Sequence, residues 1–247
     1  MQLHNRISNW LKEYIEEHNL ESFVVGISGG IDSALTSTLC AMTGKKTIVV
    51  TMPIHQNKDE TNRGLDHIEW LKAEYKDVCN YHIDLTDAYE QLVKSSPEKF
   101  RSKLSLANTR ARIRMSTLYL IASSSRGVVV GTGNKIEDYG VGFFTKYGDG
   151  GVDISPIADL MKSEVYELAE KIGINQQILE AKPTDGLWDD GRTDEDQLGV
   201  SYDELEWAMN YDGSKSLNKH EKKILKIYNE HRNANFHKMN PIPVFKK

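Results

Sequence analysis

The string Ser28-Gly29-Gly30-Ile31-Asp32-Ser33, set directly after the apolar run Phe23-Val24-Val25-Gly26-Ile27, holds the residues best suited to chemistry. A buried strand, a tight glycine turn and a helix start would aim backbone N–H groups and the positive end of a helix dipole at one point, which suits a phosphate. Paired glycines let the backbone approach an anion with no Cβ in the way. Ser28 and Ser33 add hydroxyl donors. Asp32 is the odd member, because a carboxylate repels bound phosphates. Its place makes sense if a Mg2+ lies between the two. The plain alternative, an N-capped helix after a strand, leaves the six-residue string as a whole unexplained. A site-facing Asp32 is expected to support no core packing.

Other residues carry weaker signals. Lys162 opens a helix, at the dipole end where a cation is misplaced. An external anion would explain it. Arg110, Arg112 and Arg114 alternate along one helix, so they cannot share a face and at least one is a surface charge. Taken alone, Glu137 reads as an exposed loop carboxylate and His237 as a surface histidine. Asp149, before Gly150-Gly151, reads alone as a turn residue, and Thr184 beside Pro183 as a phosphate contact or a turn hydroxyl. No G-x-x-x-x-G-K-[ST] string occurs, so the phosphate loop is not a Walker A loop.

At 247 residues the chain can bury one α/β core. Its net charge of −5 gives no global basic field, which argues against a nucleic-acid partner. Cys40 and Cys79 form no C-x-x-C pair and are expected to be small buried hydrophobes in a reducing compartment. Neither a signal peptide nor a membrane-spanning run is read, so a cytoplasmic location with no membrane partner is expected.

The elements that must position these residues follow from periodicity. Apolar residues from Leu3 to Ile15 recur at helical spacing. Strands are expected at Phe23–Ile27, Lys46–Thr51, Val78–Ile83 and Gly127–Gly131, the last with Thr132-Gly133-Asn134 at its mouth. Helices are expected over about 32–42, 57–75, 86–94, 104–125, 162–172, 202–210 and 219–232. A glycine-rich loop should run to Gly151, and residues 182–200 read as a mobile loop. Strands alternating with helices imply an α/β doubly wound parallel sheet with helices on both faces. Ligands then bind beyond the carboxyl ends of the strands, where Ser28–Ser33 and Gly131–Gly133 both lie.

The Ser-Gly-Gly-x-Asp-Ser string resembles the signature of the PP-loop ATP pyrophosphatases, which cleave ATP to AMP and pyrophosphate. Three further segments narrow the likeness: Gly131–Glu137, Gly142-Phe143-Phe144-Thr145-Lys146-Tyr147-Gly148-Asp149-Gly150-Gly151, and Asn108–Met115. With Ile154–Pro156, Leu160–Lys162, Lys182–Thr184, Asp194-Glu195 and Tyr202–Glu204, they are similar to the ammonia-dependent NAD synthetases over nearly the whole chain. The resemblance implies a single synthetase domain over 1–247 with no separate glutaminase domain. It implies adenylation of deamido-NAD by ATP, then displacement of AMP by ammonia.

By the same resemblance, Ser28, Gly29, Gly30, Ile31, Asp32, Ser33, Thr132, Lys162 and Thr184 bind ATP, with Lys162 on pyrophosphate. Asp32 and Glu137 hold Mg2+. The spacing from Glu137 to Phe143-Phe144 is one residue longer than in the commonest family pattern, so Asp138 is a rival ligand. Asn108, Arg112, Lys146, Asp149, His237 and Lys238 meet the substrate, the last two from a neighbouring subunit of a homodimer. Met239 stands where the family often has arginine. Asp149 and Lys162 are the expected catalytic residues, with Asp149 taking a proton from ammonium. Another ATP pyrophosphatase, aminating xanthosine monophosphate or modifying tRNA, and a non-catalytic adenine-nucleotide sensor remain as alternatives.

Overall fold

The computed structural model describes residues 1–184, 186–188 and 191–247. Four parallel strands, β1 (Ser22–Gly26), β2 (Lys46–Thr51), β3 (Val78–His82) and β4 (Gly127–Val129), lie in the order β3-β2-β1-β4. β1 to β3 therefore step one way across the sheet, and β4 returns to the other side of β1. The carboxyl ends of β1 and β4 flank the switch point of the sheet.

The central strand explains the continuous apolar run. Phe23 and Val25 face one layer and Val24 the other, and all three are fully buried. A strand covered on both faces has no reason to alternate with polar residues. On the first face pack α1 (Leu3–Glu17), α2 (Ile31–Ala41), α3 (Lys58–Glu74), α6 (Lys162–Lys171) and the short α7 (Gln176–Leu179). On the second lie α4 (Thr86–Ser95) and the long α5 (Lys103–Ser124). Helix starts are written locally: the Asn57 side chain accepts from the Asp59 N–H, and Ser102 accepts from the Ser105 N–H.

Beyond the sheet, α8 (Asp194–Leu198), α9 (Tyr202–Asn210) and α10 (Lys219–Met239) pack with a π-helix over Ile136–Val141 into a third apolar cluster. This layer departs from the sequence reading at three points. The π-helix lies inside the expected glycine-rich loop. Residues 182–200, read as a loop, contain α8, which the Thr193–Asp196 capping box starts; Asp185, Asp189 and Asp190 of that stretch lie outside the described residues. Helix α10 runs seven residues past the expected end at Arg232. Its extra turns are held by tertiary contacts: the Asn235 amide donates to the Val141 carbonyl at 2.9 Å. There a Cβ on Gly142 would stand 2.5 Å from the Asn235 Cβ, so only glycine allows the helix so close. The strand expected over 127–131 ends at Val129, and Val130 forms a single parallel bridge with Ile154.

Candidate active site at the carboxyl edge of the sheet

The Ser28–Ser33 turn connects β1 to α2. Gly29 has φ +86°, and a Cβ there would lie 2.1 Å from the Glu60 carbonyl oxygen. The turn is thus pressed against α3, and any other residue would push them apart. The Ser33 hydroxyl is used inside the turn. It accepts from the Ser28 N–H at 3.2 Å and donates to the Gly30 carbonyl at 3.0 Å. Ile31 is in the core and offers the site only its backbone. Helix α2 has no side-chain cap, so its first N–H groups remain available to an anion.

Across the switch point, three residues far apart in the chain converge. The Lys162 ammonium donates to Asp32 Oδ2 at 2.6 Å and to Glu137 Oε1 at 3.2 Å. Burial disfavours its charge, but Asp32 and Glu137 outweigh that and hold it protonated. In this structure the partners of Lys162 are internal carboxylates, a pairing that the sequence reading did not foresee. Asp32 lies outside the apolar core clusters, yet it neutralises a buried charge.

Three residues that sequence reasoning did not assign to the site complete it. Asn134 donates to Asp32 Oδ1 at 3.1 Å and accepts from the Ile136 and Glu137 N–H groups, so it ties the β4 mouth to the phosphate turn. The Tyr202 hydroxyl lies 2.6 Å from Glu137 Oε1 and 3.3 Å from Asp194 Oδ2. Its ring lies under Lys162, 4.8 Å from the ammonium. Burial first, then the charges of Glu137 and Asp194, push the Tyr202 phenol up, so it stays a neutral hydroxyl. Their signal was present: Asn134, Asp194 and Tyr202 all lie in segments that carry the family likeness.

Asp138, the rival ligand, folds back over Gly133. Burial, then the charges of Glu137, Asp149 and Asp32, lift its carboxyl to about 8. That shift favours the protonated form of Asp138, whereas Glu137 is the carboxylate that meets the Lys162 ammonium.

The second cluster gathers on the Gly142–Gly151 loop. Asn108 accepts from the Thr145 hydroxyl at 2.7 Å, and the Arg112 guanidinium donates to the Lys146 carbonyl at 3.3 and 3.4 Å. The two residues, four apart on α5, lie on one stripe of the helix. Arg110 and Arg114 point elsewhere, to the carbonyls of Leu187 and Met52. Lys146 reaches the His237 carbonyl at 3.4 Å, and Lys238 donates to the Phe144 carbonyl at 2.7 Å. The end of α10 thus meets the loop of its own chain, through the His237 backbone and not its ring. The Asp149 carboxylate accepts from the Thr145 N–H at 3.0 Å. Although Asp149 keeps accessible surface, the protein crowded around its carboxyl raises it to about 6 against that hydrogen bond. Thr132 stands at the β4 mouth, and the Thr184 hydroxyl accepts from the Gly186 N–H at 3.2 Å within a turn.

Such a parallel sheet, with a glycine turn and facing carboxylates at its switch point, is the PP-loop class of nucleotide-binding α/β fold. The NAD synthase family matches residues 3–241, and the chain belongs to that family. It is 41% identical over 211 residues to the NH3-dependent NAD+ synthetase of Alkaliphilus metalliredigens, covering 81% of this chain and 83% of that one. The solved NMN synthetase of Francisella tularensis superposes with a TM-score of 0.90 at 34% identity, over 99% of this chain and 98% of that one. The NH3-dependent NAD synthetase of Campylobacter jejuni gives a TM-score of 0.80 at 25% identity over 99% and 98%.

Proposed function

We propose that this chain is a ligase that amidates the nicotinate carboxylate of deamido-NAD, with ATP as co-substrate and free ammonia as nitrogen donor. The observation that carries the reading is the meeting of Asp32, Glu137 and Lys162 beside the phosphate turn, within a family-wide match. The donor set is all oxygen and already attracts a cation, which fits Mg2+, a hard ion that takes one or two carboxylates plus phosphate oxygens and water. Among the described residues no three His, Cys, Asp or Glu side chains are placed to hold a metal unaided. Asp32 and Glu137 would hold the Mg2+, which would supply charge neutralisation to the triphosphate.

The chain's own groups then divide the work. The N–H groups of α2 and the Lys162 ammonium hold the phosphates while the nicotinate carboxylate attacks the α-phosphorus and pyrophosphate leaves. Arg112, Lys146 and Lys238 place cations around the Gly142–Gly151 loop, which suits a phosphate-bearing substrate. Asp149 takes a proton as ammonia attacks the acyl carbon and AMP departs.

One observation favours a second substrate reading. The backbone and sequence follow the Francisella NMN synthetase more closely than the Campylobacter NAD synthetase. The same chemistry on nicotinate mononucleotide would give NMN and leave the site's ATP half unchanged. A single assay decides: protein, ATP, Mg2+ and ammonium with either deamido-NAD or nicotinate mononucleotide. Amide, AMP and pyrophosphate are expected in equal amounts, with deamido-NAD the better substrate by at least tenfold in kcat/KM. The reverse preference selects the mononucleotide reading, and stoichiometric ADP ends both.

We also propose a cytoplasmic homodimer. No helix among the described residues is long and apolar enough to cross a membrane. Leu92, Phe100, Leu104 and Leu120, on or between α4 and α5, are exposed, which suits a face covered by a second copy. Sedimentation equilibrium is expected to give twice the chain mass at micromolar concentration, and a monomer there would refute the dimer.

A further inference from the structure

The position of Lys162 has a consequence for how metal enters the site. We propose that the Lys162 ammonium is the resident counter-ion of Asp32 and Glu137, and that a divalent cation reaches those carboxylates only by displacing it. The inference rests on reading Asp32 and Glu137 as the metal carboxylates, and it adds a binding order: metal arrives with the nucleotide, not before it.

Three observations carry it. The ammonium contacts both carboxylates at once, at 2.6 and 3.2 Å, and its side chain is only 3% exposed. It therefore sits buried between them, not resting on the surface. Both carboxylates are otherwise fixed, Asp32 by the Asn134 amide and Glu137 by the Tyr202 hydroxyl. The pair is set for a cation before any ligand comes. Finally, Lys162 is the first residue of α6 and its ammonium is carried on a flexible four-carbon stem, so the head can swing while the helix stays.

The physics of exchange follows. Two cations drawn to the same pair of oxygens repel each other strongly in a water-poor site. A free divalent ion must give up part of its hydration and also leave a buried ammonium without partners, so it binds poorly alone. A metal riding on a triphosphate brings anions of its own. The displaced ammonium then finds phosphate oxygens in place of carboxylates, and no charge is stranded. The exchange couples the two ligands as linked equilibria.

The test reads Mn2+ binding to the full chain without substrate, by electron paramagnetic resonance of the free ion. Lys162→Met is expected to bind Mn2+ alone at least tenfold more tightly than the unaltered protein, and Asp32→Asn added to it should abolish the gain. Lys162→Gln keeps a donor for the carboxylates and protects the fold, and it should show the same gain. Circular dichroism confirms that each variant is folded. Suppose folded Lys162→Met and Lys162→Gln bind Mn2+ no better than the unaltered protein, while Asp32→Asn still destroys binding of Mn·ATP. The exchange is then wrong although the metal reading stands. If Asp32→Asn leaves Mn·ATP binding untouched, the metal reading falls and takes the exchange with it. Neither readout depends on which nicotinate substrate the enzyme uses.

Discussion

Asp32→Asn is expected to lower turnover at least a thousandfold while the protein remains folded. The substitution keeps the shape of the side chain. Its carbonyl oxygen can still accept from the Asn134 amide or the Lys162 ammonium, both of which Asp32 meets in the structure. What disappears is one negative charge at the edge of the phosphate turn. Without it the triphosphate loses a metal anchor, and electrostatic groups of this kind each account for about 10²–10³ in rate, with a metal adding several kcal/mol more. The fold pays a smaller cost. Lys162 keeps Glu137 at 3.2 Å, so its ammonium is weakened in its pairing and not orphaned. A loss of about 1–3 kcal/mol is expected for a compromised buried hydrogen bond to a charge. For a chain of this length that lowers Tm by roughly 2–4 °C per kcal/mol. Steady-state rates at saturating Mg2+, measured beside a thermal melt, check both parts. A folded variant within tenfold of the original rate removes Asp32 from the site. Asp32→Ala is a poorer probe, because it also deletes the oxygen that both partners use.

Asp149→Asn is expected to separate the two half-reactions. Pyrophosphate–ATP exchange that depends on the nicotinate substrate should persist within about threefold, since adenylation uses Asp32, Glu137 and Lys162. Amide formation near neutral pH should fall by roughly 10²-fold or more, the usual size of a lost general base. The asparagine oxygen can still accept from the Thr145 N–H, so the loop keeps its closing bond. The pH dependence has a definite sign. The Asp149 carboxyl is raised to about 6 in the folded chain, so the proton-accepting form is present above that pH and lost below it. Amidation by the unaltered enzyme should therefore decline as pH falls through 6. The variant should lack that limb, and its slow rate should climb with pH as free ammonia accumulates. The same shift means that the folded chain binds this proton more tightly than the unfolded chain. Ionised Asp149 then costs stability as pH rises from about 4 to 6, so the variant should melt no lower than the original at pH 8. Equal loss of exchange and amidation, with no recovery at high pH, would make Asp149 the turn residue that its bond to Thr145 also allows.

Much of the layout was legible from the chain alone. The phosphate turn is local: strand, paired glycines and helix start follow one another within a dozen residues, and each is set by side chains that are neighbours in sequence. The strands are legible because burial on both faces leaves an unbroken apolar run, as in Phe23-Val24-Val25. Lys46–Thr51 and Tyr202–Asn210 appear with the expected bounds. Once the sheet was parallel, the carboxyl ends of β1 and β4 had to hold the site.

What the tertiary structure decided is who satisfies whom. Lys162 looked misplaced at a helix start because its neutralising partners lie 130 and 25 residues away. Tyr202 gave no chemical signal of its own, because a tyrosine opening a helix declares its purpose only when its hydroxyl meets Glu137, 65 residues upstream. The π-helix over Ile136–Val141 and the last two turns of α10 were hidden for the same reason. Each lacks a local stop or start signal and is held by the other, through Asn235 on Val141 and Arg232 on Gly140. Backbone conformation within a few residues depends on sterics that short segments carry with them. The pairing of buried charges and hydroxyls depends on which surfaces the fold presses together, and it is settled only when the whole chain has closed.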